Sequence, residues 1–230
     1  MLKRLRPMDI LAMIFVLAEI AIFPLIHRNT GDVSAFWCYI AIILVVIMAF
    51  ITARREWRSY LIRLGLLFTL VADYFLVVDS EMLLEGVIAF TLAQAAYFAY
   101  LLTVEHRVRV RNANVVSRVA ISIVLVLAAI LVLGASVDAL AIASVIYYSN
   151  LVINAVFAFV ADRRERTLAI ALVLFAMCDL SIGLGVLFDT YLRSDALDFI
   201  FNSGFNLAWI FYQPSQVLIA LRTYQKMKTK

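Results

Sequence analysis

The sequence predicts an all-α fold: a polytopic membrane helix bundle of eight transmembrane helices with both termini cytoplasmic. Three observations predict it. Hydrophobic residues make up 65% of the 230 positions and charged residues only 16%, whereas a soluble domain is about half apolar and about a quarter charged. Eight apolar runs each approach or exceed the roughly 20 residues that a helix needs to cross a bilayer. Basic residues gather in every second connection between these runs.

The runs cover residues 8–26, 34–53, 60–78, 82–103, 115–135, 139–160, 168–188 and 199–221. Barrel strands would be about half as long and would alternate in polarity. The first run follows MLKRLRP without a small-residue cleavage site, so it reads as a span and not as a leader. It carries Glu19. The third contains LLFTLVADYFLVVDS, with Asp73 in mid-run and Asp79 at its end. The fourth carries Gln94 and Tyr97, and the sixth carries Tyr148, Asn150 and Asn154. The seventh carries Asp179 and a GLG at Gly183–Gly185, which suits close helix packing. The eighth carries Asn206, Tyr212, Gln213 and Gln216, with Pro214 expected to kink it and free a carbonyl. Together the spans use up the chain, so residues 1–230 read as a single transmembrane domain.

Orientation follows from charge. Lys3, Arg4 and Arg6 precede the first span. Arg54, Arg55, Arg58 and Arg63 lie in or beside the second connection, Arg107, Arg109, Arg111 and Arg118 in or beside the fourth, and Arg163, Arg164 and Arg166 in the sixth. Arg222, Lys226, Lys228 and Lys230 follow the last span. Of the 20 basic residues only Arg28 and Arg193 fall on the other side, which carries acids such as Asp32, Asp79, Asp138, Asp189, Asp195 and Asp198. The positive-inside rule then makes both termini cytoplasmic. The net charge of +4 is explained by topology and by contact with anionic membrane lipid; no nucleic-acid partner is expected. Cys38 and Cys178 lie in apolar runs and read as two buried thiols.

Glu19, Asp73 and Asp179 are the acids inside spans. At about 1.5 Å per residue they lie within roughly two turns of one another in depth. An intramembrane charge is costly and needs a partner, water or a proton. No lysine or arginine is expected at that depth. The set therefore predicts a polar, hydrated cavity in which one carboxylate is protonated and another ionised, the division that acid–base hydrolysis uses. A packing role for each aspartate, through hydrogen bonds across helices, is the plainer alternative. Tyr97 and Tyr148 read first as packing groups. His27 and His106 sit at opposite span ends, so no histidine-ligated metal site and no Ser–His or Cys–His pair fits the core. With no lysine in a span there is no Schiff-base chemistry. No cofactor and no metal is expected.

At this point the sequence resembles the YhhN family of eight-helix membrane proteins, whose characterised members are lysoplasmalogenases. The first matching block is LLFTLVADYFLVV…LLEGVIAFTLAQAAYFAYLL, in which Gly86, Ala89, Phe90, Ala93 and Tyr97 fit a GxxAFxxAHxxY pattern. The second is ALVLFAMCDLSIGLGVLF and the third YQPSQVLIAL. Gln94 stands where the family usually has His, Ala72 where it has Gly, Cys178 where it has Ser, and Ser215 where it has Ala. The Lys-Pro pair that opens the second span in many members is absent. The resemblance implies hydrolysis of the vinyl-ether bond of lysoplasmalogen to a fatty aldehyde and a glycerophospho-choline or -ethanolamine. It implies Asp73 and Asp179 as the catalytic pair. Glu19, Gln94, Tyr97, Tyr148, Asn150, Tyr212 and Gln216 are the candidate substrate-binding residues. The expected partners are a lysophospholipid substrate and membrane lipids. A lipid or small-molecule transporter, or a non-catalytic lipid-binding protein, would use the same polar cavity, and a purely structural subunit would have a dry core.

Overall fold

In lipid every backbone polar group has to be satisfied within the chain, which leaves helices as the economical solution for runs this apolar. The computed structural model describes residues 7–53, 56–79, 81–187 and 206–225. Among them are α1 (Pro7–Arg28), α2 (Gly31–Thr52), α3 (Trp57–Asp73, continued as a π-helical turn Tyr74–Val78), α4 (Leu83–Val104), α5 (Val108–Leu133), α6 (Ala139–Val160), α7 (Arg166–Leu187) and α8 (Leu207–Tyr224). Seven of these, α1 to α7, are long and apolar enough to cross a membrane. Residues 199–205, expected to open the eighth span, lie outside the described residues, as do Asp189, Arg193, Asp195 and Asp198 on the acidic side.

Five helices close a ring. α3 packs on α4, α4 on α6, α6 on α7, α7 on α8, and α8 back on α3. α2 lies against α3 and α8, α1 against α2, and α5 against α6. Two glycines set the α3–α4 spacing. A Cβ on Gly65 would stand 2.3 Å from the Tyr97 ring, and one on Gly86 2.6 Å from Cγ of Leu76. Both glycines let the larger side chain of the facing helix reach the backbone.

Asp138 caps α6 by accepting from the Ala141 N–H at 2.7 Å, and Gly134 ends α5 at φ 55°, a conformation that favours glycine. Three expectations are corrected. The third span is not one uniform α-helix: it passes into a π-helical turn immediately after Asp73. The fifth helix starts at Val108 and not near Val115, so Arg109 and Arg111 lie within it rather than in a link. Arg222 does not flank the last helix but lies inside it, 1% exposed. There it donates to both carboxylate oxygens of Glu165, at 2.9 and 2.6 Å, while the Tyr100 hydroxyl donates to the same carboxylate at 2.8 Å. Glu165, in the 3₁₀ turn Arg163–Glu165 before α7, is thus a buried acid rather than a surface charge.

α5 is held differently from the rest. None of its apolar window is buried within the bundle. Its ties are polar: Arg118 to asparagines, and Ser122 to Ser149 at 3.0 Å. Such hydrogen bonds join helices where lipid removes the hydrophobic drive for association. Cys38 and Cys178 are free and buried, as expected.

Candidate active site

The centre of the ring is an aromatic layer to which four helices contribute. Phe90 from α4 stacks on Tyr147 from α6 at 5.4 Å and meets Phe175 from α7 edge-on at 5.3 Å. Phe175 meets Tyr212 from α8 at 5.2 Å, and Tyr212 meets Trp209 at 5.0 Å. Edge-to-face rings at these separations are favourable pairs. Two of the rings carry hydroxyls, and each finds one aspartate. Tyr212 donates to Oδ2 of Asp73 at 2.6 Å, and Tyr147 donates to Oδ2 of Asp179 at 2.6 Å. The fifth helix of the ring, α3, supplies Asp73 itself.

The result is two tyrosine–aspartate pairs on either side of Phe90 and Phe175. Asp73 is 3% exposed, whereas Asp179 is only partly buried. Their tyrosine partners are linked through Phe90, whose ring lies 5.4 Å from that of Tyr147 and 6.4 Å from that of Tyr212. Neither forms an ion pair with a described lysine or arginine. Each hydroxyl is an O–H donor to a carboxyl oxygen and so orients that carboxyl group, leaving the other oxygen to meet a substrate or water. The π-helical turn starts one residue after Asp73. Single π turns widen a helix locally and are frequent at functional sites.

The remaining candidates divide. Glu19 joins α1 to α8 instead of facing the aspartates: Gln213 donates through Nε2 to the Glu19 carboxylate at 2.7 Å and to its carbonyl at 2.8 Å. Gln94 and Gln216 lie about one turn beyond Phe90 and Tyr212, Thr69 about one turn from Asp73, and Tyr97 about two turns beyond Phe90, all displaced toward the basic links. All four are 0% exposed. The hydroxyls of Thr69 and Tyr97 are buried without a hydrogen-bond partner among the described residues. The Nε2 of Gln94 and Oε1 of Gln216 are likewise buried without a partner among the described residues. Buried groups of this kind are met by ordered water or a ligand. Asn150 bonds Arg118 of α5, as does Asn154 at 2.7 Å. The expectation that no cation reaches the polar layers is therefore corrected: Arg118 does, one turn from Tyr147 along α6.

Tyr148 does not touch the pair. It lines an apolar groove of about 230 Å³ between α6 and α7, with Val152, Ala155, Ala176 and Leu180 among the lining. The tyrosine that holds Asp179 is its neighbour Tyr147, which is not among the residues that the sequence singles out. A signal for it existed. Tyr147, Asn150 and Asn154 stand at i, i+3 and i+7, the spacing of one helix face, and Tyr148 falls off that face.

No curated protein and no solved structure matches the chain. The YhhN family model matches residues 33–223, from α2 to the penultimate residue of α8, and so includes both tyrosine–aspartate pairs while leaving out Glu19. The chain belongs to the YhhN family.

Proposed function

We propose that this protein is a membrane-embedded hydrolase that cleaves the vinyl-ether bond of lysoplasmalogen. The observation that carries the reading is the pair of aspartates, each held by one tyrosine hydroxyl at 2.6 Å across a shared aromatic layer. Family membership supports it. The chain is read as one integral domain with both termini cytoplasmic, in the cell membrane.

The chemistry needs a proton donor and a base. A vinyl ether hydrolyses by protonation of its β-carbon, which leaves an oxocarbenium ion with its charge shared between the ether oxygen and the adjacent carbon. A protonated aspartate supplies that proton. The ionised aspartate stabilises the cation and removes a proton from the water that adds to the carbon. The hemiacetal so formed breaks its carbon–oxygen bond, giving the fatty aldehyde and a free glycerol hydroxyl. In that step the hemiacetal hydroxyl returns a proton to the carboxylate that acted first and the leaving oxygen takes the proton held by the second, so the carboxyl pair returns to its starting state, as paired carboxylates do with glycosides. The buried polar atoms of Thr69, Gln94, Tyr97 and Gln216 suit a place for the hydrolytic water. Asp179, the less buried of the two acids, has groove residues as its neighbours on α7: Met177 and Leu180.

The chemistry gives a direct test. Purified protein incubated with lysoplasmalogen in D₂O is expected to release aldehyde carrying one deuterium next to the carbonyl. The saturated 1-O-alkyl analogue is expected to remain intact, because it has no carbon to protonate. A transporter or lipid-binding protein built on the same acids would return both lipids unchanged, and that result would remove the hydrolase reading.

A further inference from the structure

Arg118 heads a polar network that crosses from α5 through α6 to α4. Its guanidinium donates to Oδ1 of Asn150, to Oδ1 of Asn154 at 2.7 Å and to Oδ1 of Asn114 at 3.3 Å, and it lies 4.1 Å over the Phe98 ring. Asn154 continues the chain, donating through Nδ2 to the carbonyl of Gln94 at 2.9 Å and to its Oε1 at 3.0 Å. An arginine can only donate, so it orients every amide in the series. The asparagine oxygens turn toward Arg118, and Gln94 is left with Nε2 as a free donor. That Nε2 and the Nε of Arg118 are both buried without an acceptor among the described residues.

The network thus holds one positive charge, two unanswered donors and no carboxylate. No described acid forms an ion pair with Arg118, in contrast to Arg222, which is bidentate to Glu165. Arg118 is only partly buried, so an anion can reach it from the α5 side. A cation between helices near the basic end of a bundle is the kind of site that takes a lipid phosphate.

We infer that Arg118, with Asn150 beside it, binds the phosphate of a lysophospholipid headgroup; the identity of the lipid rests on the hydrolase reading above. Dimensions support the assignment. Asn150 follows Tyr147 by one turn, a rise of about 4.5 Å along α6. In a lysoplasmalogen six bonds separate the reacting alkenyl carbon from phosphorus, about 7 Å when extended, judged from the reach of three-bond backbone units. A phosphate on the guanidinium therefore brings the vinyl ether to the level of Tyr147 and Asp179. The headgroup points toward the basic links and the hydrocarbon chain points away from them.

The test uses the full chain in detergent and probes that cannot be cleaved as vinyl ethers. Binding of 1-acyl lysophosphatidylcholine, of a monoacylglycerol with the same chain, and of inorganic phosphate is measured by native mass spectrometry and titration. Arg118→Gln is expected to weaken lysophosphatidylcholine binding by about tenfold or more, as loss of a charge-assisted contact does, and to leave monoacylglycerol binding unchanged. Arg118→Lys is expected to retain most of the affinity. Equal losses for both lipids would mean that Arg118 only pins α5, and an unchanged lysophosphatidylcholine affinity would remove the site; either overturns the inference. Inorganic phosphate binding as tightly as the lipid would also overturn it, in favour of a free-anion site. Should Arg118→Gln fail to fold, Asn150→Asp puts a carboxylate beside the guanidinium and is expected to weaken the phospholipid selectively; equal binding of both lipids there counts against the inference. Because the probes are esters, a lack of vinyl-ether cleavage leaves these outcomes intact.

Discussion

Moving one hydroxyl separates the roles of the neighbouring residues Tyr147 and Tyr148. Tyr147→Phe and Tyr212→Phe each remove a 2.6 Å bond to an aspartate. Hydrogen bonds to charged groups are worth about 1.5–3 kcal/mol, so either change is expected to slow aldehyde release by about tenfold or more while the protein remains folded. Tyr148→Phe is expected to leave the rate unchanged, because its ring lies in the α6–α7 groove. Steady-state rates for the three variants check this, and an equal loss from Tyr148→Phe would contradict the site. At this scale the sequence was readable for charge and poorly readable for direction. Asp73 and Asp179 stood out because a carboxylate in a hydrocarbon run is costly. Tyr147 did not, because two adjacent tyrosines look alike until the face shared with Asn150 and Asn154 is counted. Arg118 reads as a flanking charge because hydropathy assigns cations to helix ends, and no hydropathy window reveals the asparagines one helix away.

Among the elements, α3 and α4 depend on the closest contact. Ala in place of Gly65 would put a Cβ 2.3 Å from the Tyr97 ring, and the ring, fully buried, would have to shift. Overpacking of this kind costs about 1–3 kcal/mol. Gly65→Ala is expected to lower the thermal midpoint in detergent, whereas the same change at Gly183, with nothing near its Cβ, is expected to be neutral. Paired melting curves decide it; equal midpoints at the two sites would contradict the packing. Among the described residues, eight long helices and most of their boundaries followed from apolar run length, and seven of the helices are long and apolar enough to cross a membrane. The π-helical turn after Asp73 did not, since a register change from i→i+4 to i→i+5 leaves no trace in hydropathy. The start of α5 was also hidden: the polar segment Val108–Asn114 continues the helix beyond its apolar run.

For the molecule as a whole, two structures sit in series along the bundle: the aromatic layer with its aspartates, and the Glu165–Arg222–Tyr100 cluster that ties the turn before α7 to α8 and α4. Breaking a buried ion pair by removing one partner costs about 3–5 kcal/mol because the other charge is stranded. Arg222→Met is therefore expected to destabilise the fold strongly, and Arg222→Met with Glu165→Leu to recover most of the loss. Denaturation of the single and double variants checks the coupling; losses that simply add would contradict it. The central claim concerns the aspartates. Aldehyde released from lysoplasmalogen by purified wild type, Asp73→Asn and Asp179→Asn, measured by mass spectrometry alongside a melting curve for each, tests it most directly. Asparagine keeps the size and can still accept from the tyrosine, but it can neither carry the transferable proton nor hold the negative charge. Both variants are expected to melt near wild type and release no aldehyde above the uncatalysed rate; full activity in either would contradict the account.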